Sequence, residues 1–269
     1  MKILVRFLVF VVGFVAIWMA MAQINWIEIL HVQQASDKTE KELTRIIKES
    51  IERTEEIIKD SDVKYTIDSI VDKLAKENYL DAGKLTVMVV NNPQVNAFAL
   101  PDDHIIIYSG LIKECGSAEA LSGVIAHEMA HLELNHVMKK LVKEVGVSVL
   151  VSMTSSGGGQ VIQEVTSTLT SSAYDRSLEA EADEYAVHYL LNANINPNPL
   201  ADFFYQLALN EPEFASELGW LSTHPDSKER ALEIIEQAKN KGDVYRPVIS
   251  ESSWNLLLEK VEIYSGQEL

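Results

Sequence analysis

His127-Glu128-Met129-Ala130-His131 reads H-E-x-x-H and lies within a long stretch of helical periodicity. Four residues of an α-helix correspond to about 400° of rotation, so the two imidazoles project from one face, one turn apart. Such a pair can bind one zinc ion, and Glu128 lies where its carboxylate can reach a water held by the metal without binding the metal itself. The stretch therefore predicts a zinc hydrolase. The plain alternative is two core histidines with an unrelated glutamate between them.

A third ligand is needed, because catalytic zinc takes three protein ligands and keeps a fourth position for water. The segment 177–184 offers four acids, namely Glu179, Glu181, Asp183 and Glu184. Glu179 and Asp183 lie four residues apart on one helix face, whereas Glu181 points roughly the other way. The spacing favours Glu179 on zinc, with Asp183 accepting the second N–H of a ligand imidazole. It leaves Glu181 open as a ligand, and a solvated face as the alternative for all four.

His136 follows His131 by five residues, which makes it a further candidate ligand. Five residues of a continuous helix correspond to about 500°, so its side chain would leave the metal-facing side. The metzincin pattern also requires a glycine and a more distant histidine, whereas position 134 is leucine. We therefore predict a structural role for His136.

Three short segments are typical of β-strands, because they are apolar, rich in β-branched residues and separated by turn residues. They are residues 85–90, 95–100 and 104–108. We expect a small, largely antiparallel sheet from them. Ser117 suits the N-cap of the active-site helix, which the periodicity carries to about Glu144.

The rest of the chain is predicted to be helical. Apolar residues recur at helical spacing over residues 34–60, and a second helix covers residues 67–74. Further helices are expected at about residues 177–192 and 199–210. A capping box, Asp226 through Glu229, opens another helix that runs to about Asn240. The fold class is therefore α+β, mostly helical, with the H-E-x-x-H helix beside a small sheet.

The same pattern divides the chain into four parts. Residues 1–22 form an export segment, 23–80 a helical extension, and 81–240 the zinc hydrolase domain, while 241–269 form a tail without a predicted structure. A net charge of −17, from 40 acidic and 23 basic residues, disfavours nucleic acid as a partner, because phosphate binding needs a basic surface. The single cysteine, Cys115, excludes an intramolecular disulfide framework and a cysteine-rich zinc site.

The N-terminal segment has the layout of a signal peptide. Lys2 and Arg6 precede an apolar run, and Ala20-Met21-Ala22 has the small-x-small pattern of a cleavage site. Residues 3–22 are also long enough to cross a bilayer, so an uncleaved membrane anchor is the alternative. Positive residues before the run and acids after it predict an exported, periplasmic protein, either soluble after cleavage near Ala22 or membrane-associated through residues 3–22.

Three separated motifs together resemble those of one metallopeptidase family. H-E-x-x-H is followed by an E-x-x-A-D pattern that begins at Glu179, and then by Thr223-His224-Pro225 with Arg230 behind it. Residues 96–101, Asn-Ala-Phe-Ala-Leu-Pro, also resemble the strand that precedes the active-site helix in this family. The chain is similar, over roughly residues 84–232, to the gluzincin metallopeptidases that include HtpX, BepA, Oma-type proteases and the CAAX prenyl endopeptidases.

The resemblance implies a zincin-like fold and one zinc ion per chain. It implies roles for ten residues: zinc ligation by His127, His131 and Glu179; general base catalysis by Glu128; support from Asp183; oxyanion stabilisation or capping of zinc at rest by His224; and substrate binding or bracing of the cleft by Asn96, Ala97, Phe98 and Arg230.

These features predict a zinc endopeptidase that cuts unfolded or flexible polypeptides outside the cytoplasm, in envelope protein quality control. An extended substrate would add to the sheet edge along residues 95–100. The alternative from another class is a zinc-bearing holdase or assembly factor whose peptidase activity is latent or lost. A zinc hydrolase acting on a non-peptide amide is a third possibility. The oligomeric state and the substrate are not predicted.

Overall fold

The computed structural model describes residues 6, 32–150, 159–214, 219–239 and 244–266. Contacts group residues 41–269 into one unit and residues 1–40 into another, and the packing and the site described below lie within the first of these. Apart from Arg6, the predicted export segment lies outside the described residues. Among the helices that are described, none combines the length and the apolar character needed to span a membrane.

The described elements are helices with a small sheet between them. The helices are α1 (Val32–Thr54), α2 (Ser61–Glu77), α3 (Ser109–Glu114), α4 (Ala118–Glu133), α5 (His136–Glu144), α6 (Gly159–Ser171), α7 (Arg176–Asn192), α8 (Asn198–Phe214), α9 (Gly219–Thr223), α10 (Ser227–Ala238) and α11 (Glu251–Ser265). The strands are β1 (Glu56–Ile57), β2 (Thr86–Asn91), β3 (Ala97–Leu100) and β4 (His104–Tyr108). This confirms the predicted mostly helical α+β class.

The sheet has the order β1-β2-β4-β3 and is mixed. The three predicted strands are present, and β1 adds a fourth that pairs antiparallel with β2. A tight hairpin joins β3 to β4, with Asp102 and Asp103 in the left-handed region at φ 55° and 56°. Because β3 lies outside β4, β2 meets β4 directly and the two run parallel. Strand β3 is therefore an edge strand of the sheet.

Helix α4 carries the H-E-x-x-H stretch through the centre of the unit. The Ser117 side chain accepts a hydrogen bond from the Ala120 N–H, which confirms the predicted N-cap. Nearly every residue of α4 is buried, and α4 contacts β3, α7 and α8. Gly123 allows the close approach of α8, because a Cβ atom there would lie 2.6 Å from Leu200 Cβ.

The active-site helix ends earlier than predicted. The chain leaves the helical region at Asn135, which has φ 56° and ψ 30°, and a new helix, α5, starts at His136. The prediction of one helix to Glu144 is wrong. Asn tolerates the left-handed conformation, and a helix break at a single residue leaves the hydrophobic periodicity on either side unchanged. The chain therefore changes direction two residues after α4 ends.

Two other predicted helix ends differ. Helix α1 ends at Thr54, because Glu56 and Ile57 pair with β2 and Asp60 caps α2 by accepting from the Asp62 and Val63 N–H groups. The predicted capping box before α10 does not form. Asp226 has φ 62°, makes no side-chain cap bond and instead accepts from Arg176 at 3.1 Å.

Helix α11 completes the core within residues 241–269, for which no structure was predicted. Its buried residues Trp254, Leu257 and Val261 belong to the same apolar cluster as Ile67 and Leu74 of α2. The cluster also contains the inner face of α4, so α2 and α11 support the active-site helix from behind.

Candidate metal centre

Four donor side chains converge from three parts of the chain. Helix α4 provides His127 and His131, α7 provides Glu179, and the turn between α9 and α10 provides His224. One donor atom from each lies within 4.8 Å of the others. All four side chains are at most 2% exposed, so they are shielded from water. Among the described residues, this cluster has the donor set of a metal centre.

The spacing of the donor atoms tests whether a zinc ion fits. His127 Nε2 lies 3.0 Å from His131 Nε2 and 3.6 Å from a Glu179 oxygen, while His131 Nε2 lies 3.3 Å from the other Glu179 oxygen. Ligands at about 2.0–2.1 Å in a tetrahedron are separated by about 3.3–3.4 Å, so these distances match its edges. Two imidazole nitrogens and a carboxylate that converge in a buried site are also the ligand types that zinc takes in proteins. The residues present fit zinc.

His224 occupies the fourth corner. Its Nδ1 lies 3.3 Å from His127 Nε2 and 3.0 Å from a Glu179 oxygen. The ring is held between aromatic neighbours, stacking on Trp220 at 4.0 Å and on Tyr174 at 5.5 Å between centroids. Its backbone N–H donates to the Trp220 carbonyl at 2.7 Å, which fixes the turn. In this conformation His224 is placed as a fourth donor.

Glu128 lies beside the cluster without joining it. Its side chain is fully buried, and one of its oxygens lies 3.5 Å from His224 Nε2. Burial raises the pKa of Glu128 to about 7, against the opposing effect of the neighbouring His127. A carboxylate with such a pKa can both accept and release a proton near neutral pH.

Two further charged side chains, Asp183 and Arg230, contact two of the four donors. Asp183 Oδ1 lies 3.0 Å from His127 Nδ1, the ring nitrogen that faces away from the cluster. Arg230 donates to both Asp183 oxygens at 2.7 Å, and its Nη1 lies 2.6 Å from a Glu179 oxygen. Burial alone would raise the pKa of Asp183, yet the Arg230 guanidinium holds it below its ordinary value. Asp183 lies one turn after Glu179 and contacts His127, and its role in orienting that imidazole stays a prediction.

Arg230 was predicted to bind substrate or to brace the cleft. The structure places its guanidinium between two buried carboxylates and over the Phe204 ring at 4.4 Å, with the residue only 4% exposed. This arrangement is that of a bracing residue. Contact with substrate stays a prediction.

His136 and Glu181 form a branch that leads away from the cluster. His136 Nδ1 lies 3.1 Å from His131 Nδ1, and His136 Nε2 lies 3.3 Å from a Glu181 oxygen. His136 was predicted to point away from the metal site on the assumption of a continuous helix. The break at Asn135 removes that assumption. Glu181 is 46% exposed in its side chain and lies outside the four-donor cluster, unlike Glu179.

The predicted substrate strand lies next to the active-site helix. The Tyr108 N–H donates to the Asn96 carbonyl, and Phe98 is in register with Ile106, so residues 96, 98 and 100 use their backbone groups on β4. The backbone groups of Ala97 therefore point to the side of β3 on which no described strand pairs. The Asn96 side chain is buried and donates to the Thr170 carbonyl at 3.5 Å. The Phe98 side chain packs edge-on against the Tyr108 ring.

Sequence reasoning did not identify the aromatic residues around the cluster. Tyr174 stacks on the His131 imidazole at 4.1 Å, and Trp220 lies 5.6 Å from the His127 ring. Tyr174 lies in a connection, where hydrophobic periodicity gives no signal, and Trp220 lies in a five-residue helix. Lys140, whose Nζ lies 4.1 Å from the centre of the Tyr174 ring, was also missed.

Helix, sheet edge and donor set together define a zincin-type metallopeptidase site. The model of a family described as Peptidase family M48 matches residues 62–238, well over half of the chain. The chain is 31% identical over 172 residues to the metalloprotease LoiP of Escherichia coli, covering 61% of this chain and 67% of that protein. The chain therefore belongs to peptidase family M48.

Other relatives are longer than this chain. Mitochondrial metalloendopeptidase OMA1 of Schizosaccharomyces pombe is 28% identical over 156 residues, covering 57% of this chain and 46% of that protein. The beta-barrel assembly-enhancing protease of Yersinia pestis is 26% identical over 190 residues, covering 65% of this chain and 38% of that protein. The chain thus spans less than half the length of these two relatives.

Proposed function

We propose that the protein is a zinc-dependent endopeptidase with one zinc ion per chain, held by His127, His131 and Glu179. The observation that carries the proposal is the convergence of these three side chains from two helices, at tetrahedral spacing, beside the buried carboxylate of Glu128. Membership of a peptidase family and the metalloprotease names of the relatives support it.

The chain's own residues then have separate tasks. When bound, zinc supplies a Lewis acid that polarises the scissile carbonyl. Glu128 takes the proton of the attacking water and returns it to the leaving amine, which suits a carboxyl group whose pKa burial raises to about 7. Asp183 and Arg230 fix the orientation of His127 and Glu179 through contacts of 2.6–3.0 Å.

The substrate we propose is an extended segment of a polypeptide. Because β3 is an edge strand, its outward backbone groups at Ala97 can pair with an added strand. Such pairing requires a segment that is free of its own secondary structure, which selects unfolded or flexible polypeptides. The edge contacts α4, so the added strand would run past Glu128.

His224 can serve in one of two ways. In the described conformation its Nδ1 shares the cluster with His127 and Glu179, which supports a resting role as the fourth zinc ligand. To stabilise an oxyanion instead, the ring would have to leave this corner and present an N–H to the substrate. We assign the resting role to the conformation described and the oxyanion role to a state with substrate bound.

For the cellular role, we propose protein quality control outside the cytoplasm. The layout of residues 1–22 and the name of one relative, the beta-barrel assembly-enhancing protease of Yersinia pestis, support this proposal. The division into a helical extension at 23–80 and a catalytic domain at 81–240 belongs to the same proposal.

The test is a pair of glutamate substitutions on one helix. Glu128→Gln should keep its zinc and its stability but cleave casein at least about 100-fold more slowly, the scale of general base catalysis. Glu133→Gln makes the same chemical change at an exposed position of α4 and should cleave at the wild-type rate. Undiminished cleavage by Glu128→Gln would overturn the assignment. If wild-type protein binds casein without cutting it, the holdase alternative holds.

A further inference from the structure

A cavity of about 200 Å³ shares a wall with the metal cluster. It is lined by α5 and by residues 173–178, which lead into α7. The shared wall is the ring of Tyr174, which lines the cavity and also stacks on His131. Since liquid water occupies about 30 Å³ per molecule, the cavity is large enough for roughly six waters or one extended side chain.

Lys140 is the unusual residue of this cavity. It is only 3% exposed, and its Nζ has no hydrogen-bond partner among the described residues. Its Nζ lies over the face of the Tyr174 ring, 4.1 Å from the ring centre. A buried ammonium without a hydrogen-bonded partner is costly, and a cation–π contact returns only about 0.5–2 kcal/mol. An apolar side chain would fill the same space without that cost, so packing alone does not explain a lysine.

The two acidic residues of the lining do not balance its three lysines. Lys143 lies 2.6 Å from Asp175 and 3.8 Å from Glu144, so the two acidic residues of the lining are both matched with it. Lys139 has no ion pair within the described part of the chain. The lining therefore has three lysines against two acidic residues, an excess of one positive charge, in a protein whose net charge is −17.

The surroundings of Lys140 keep its side chain protonated at neutral pH. Burial lowers the pKa of Lys140 to about 8, against the opposing effects of Glu128, Glu179 and Glu144. The ammonium form therefore prevails at neutral pH. The apolar part of the lining, Ala173 and Leu178, would contact the methylene groups of a ligand whose charged end reaches Lys140.

We propose that this cavity is a substrate pocket that holds a carboxylate of the polypeptide, with Lys140 as the residue that recognises it. The inference rests on the proposed peptidase function, since the ligand is part of a polypeptide substrate. The shared chemistry, one carboxylate on an aliphatic stem, has two sources: an aspartate or glutamate side chain, or a free C-terminus. Lys140 would donate to it, and the Tyr174 wall places the carboxylate one side chain away from the metal ligand His131.

The experiment compares casein-derived peptides with both ends blocked. In one series a single glutamate is moved along the peptide, and in the matched series glutamine replaces it. A third set carries glutamine and a free C-terminus. For the wild-type, zinc-loaded protein we expect kcat/KM to be about 10- to 100-fold higher with glutamate at one fixed distance from the cleaved bond, the range for a hydrogen bond to a charged group. A preference for the free C-terminus instead would assign the terminal carboxylate as the source.

Three variants test the role of Lys140. Lys140→Met removes the charge and should bring the glutamate-to-glutamine ratio to about 1, while the glutamine peptides are cut within about threefold of the wild-type rate. Lys140→Arg keeps the charge and should keep a preference. Lys113→Met removes a charge from α3, where Lys113 pairs with Glu262 at 3.5 Å, and should leave the ratio unchanged. A purely structural role of Lys140 would alter all rates together and not their ratio.

The outcomes separate the two proposals. Cleavage without any carboxylate preference, or a preference that persists in Lys140→Met, overturns the pocket and leaves the peptidase function standing. If wild-type protein cuts none of the peptides, the proposed function fails. Whether the pocket binds a carboxylate is then decided by the ratio of dissociation constants for the glutamate and glutamine peptides, measured by fluorescence anisotropy on the same proteins.

Discussion

Asp183 allows zinc affinity to be changed without replacing a proposed ligand. Its Oδ1 lies 3.0 Å from His127 Nδ1, and both of its oxygens accept hydrogen bonds from Arg230 at 2.7 Å. Asp183→Asn keeps the size of the side chain and removes its charge. The imidazole of His127 then loses the carboxylate that fixes its orientation and raises its basicity as a ligand.

The size of the effect follows from this geometry. Loss of an outer partner of a ligand histidine weakens metal binding about 10- to 100-fold, which corresponds to about 1.4–2.7 kcal/mol. The same change leaves the Arg230 guanidinium, only 4% exposed, with Glu179 as its remaining charged partner. Because breaking a buried ion pair costs about 3–5 kcal/mol, the zinc-free variant should also unfold at lower temperature.

The assay is competition for zinc against a chromophoric chelator, at a temperature where circular dichroism shows both proteins folded. Glu181→Gln is the matched control, because it makes the same kind of change on α7 at a side chain that is 46% exposed. It should weaken zinc binding less than about threefold. Equal zinc affinity of folded Asp183→Asn and wild type, within twofold, would refute the reasoning.

Three further predictions concern packing and charge. Gly123→Ala should lower the free energy of unfolding by about 1–2 kcal/mol in urea titrations, because its Cβ would lie 2.6 Å from Leu200 Cβ; a gain of about 1 kcal/mol, as helix propensity alone predicts, would contradict this. Arg230→Met should destabilise the zinc-free protein by about 3–5 kcal/mol in thermal unfolding, because two buried carboxylates lose their cation, and an unchanged melting temperature would argue against the bracing role. The glutamate preference in kcat/KM should fade as pH rises through about 8, because Lys140 is charged below its lowered pKa and neutral above it; a preference constant to pH 10 would exclude Lys140 as its source.

The sequence predicted the parts of the site that depend on helical spacing. His127 and His131 face one point because they are one turn apart, and Glu179 and Asp183 share a face for the same reason. The mostly helical class and three of the four strands were also predicted, since they depend on local apolar patterns.

What the sequence did not predict depends on single backbone residues or on contacts between distant segments. Asn135 and Asp226 adopt positive φ values of 56° and 62°, which end or begin helices without any change of periodicity. The contact of His136 with His131 follows from the first of these breaks. The stacking of Tyr174 on His131 joins a connection to a helix 43 residues away, and no local pattern encodes it.

The zinc content of three purified proteins tests the proposed metal centre. Wild-type protein, Glu179→Ala and Glu181→Ala would be purified in parallel, dialysed against a weak chelator and analysed for metal by mass spectrometry. We expect one zinc per chain in the wild type and in Glu181→Ala, and a loss of most of the zinc in Glu179→Ala, because Glu179 belongs to the four-donor cluster and Glu181 lies outside it. Full zinc occupancy in Glu179→Ala, or its loss in Glu181→Ala, would contradict the proposed centre.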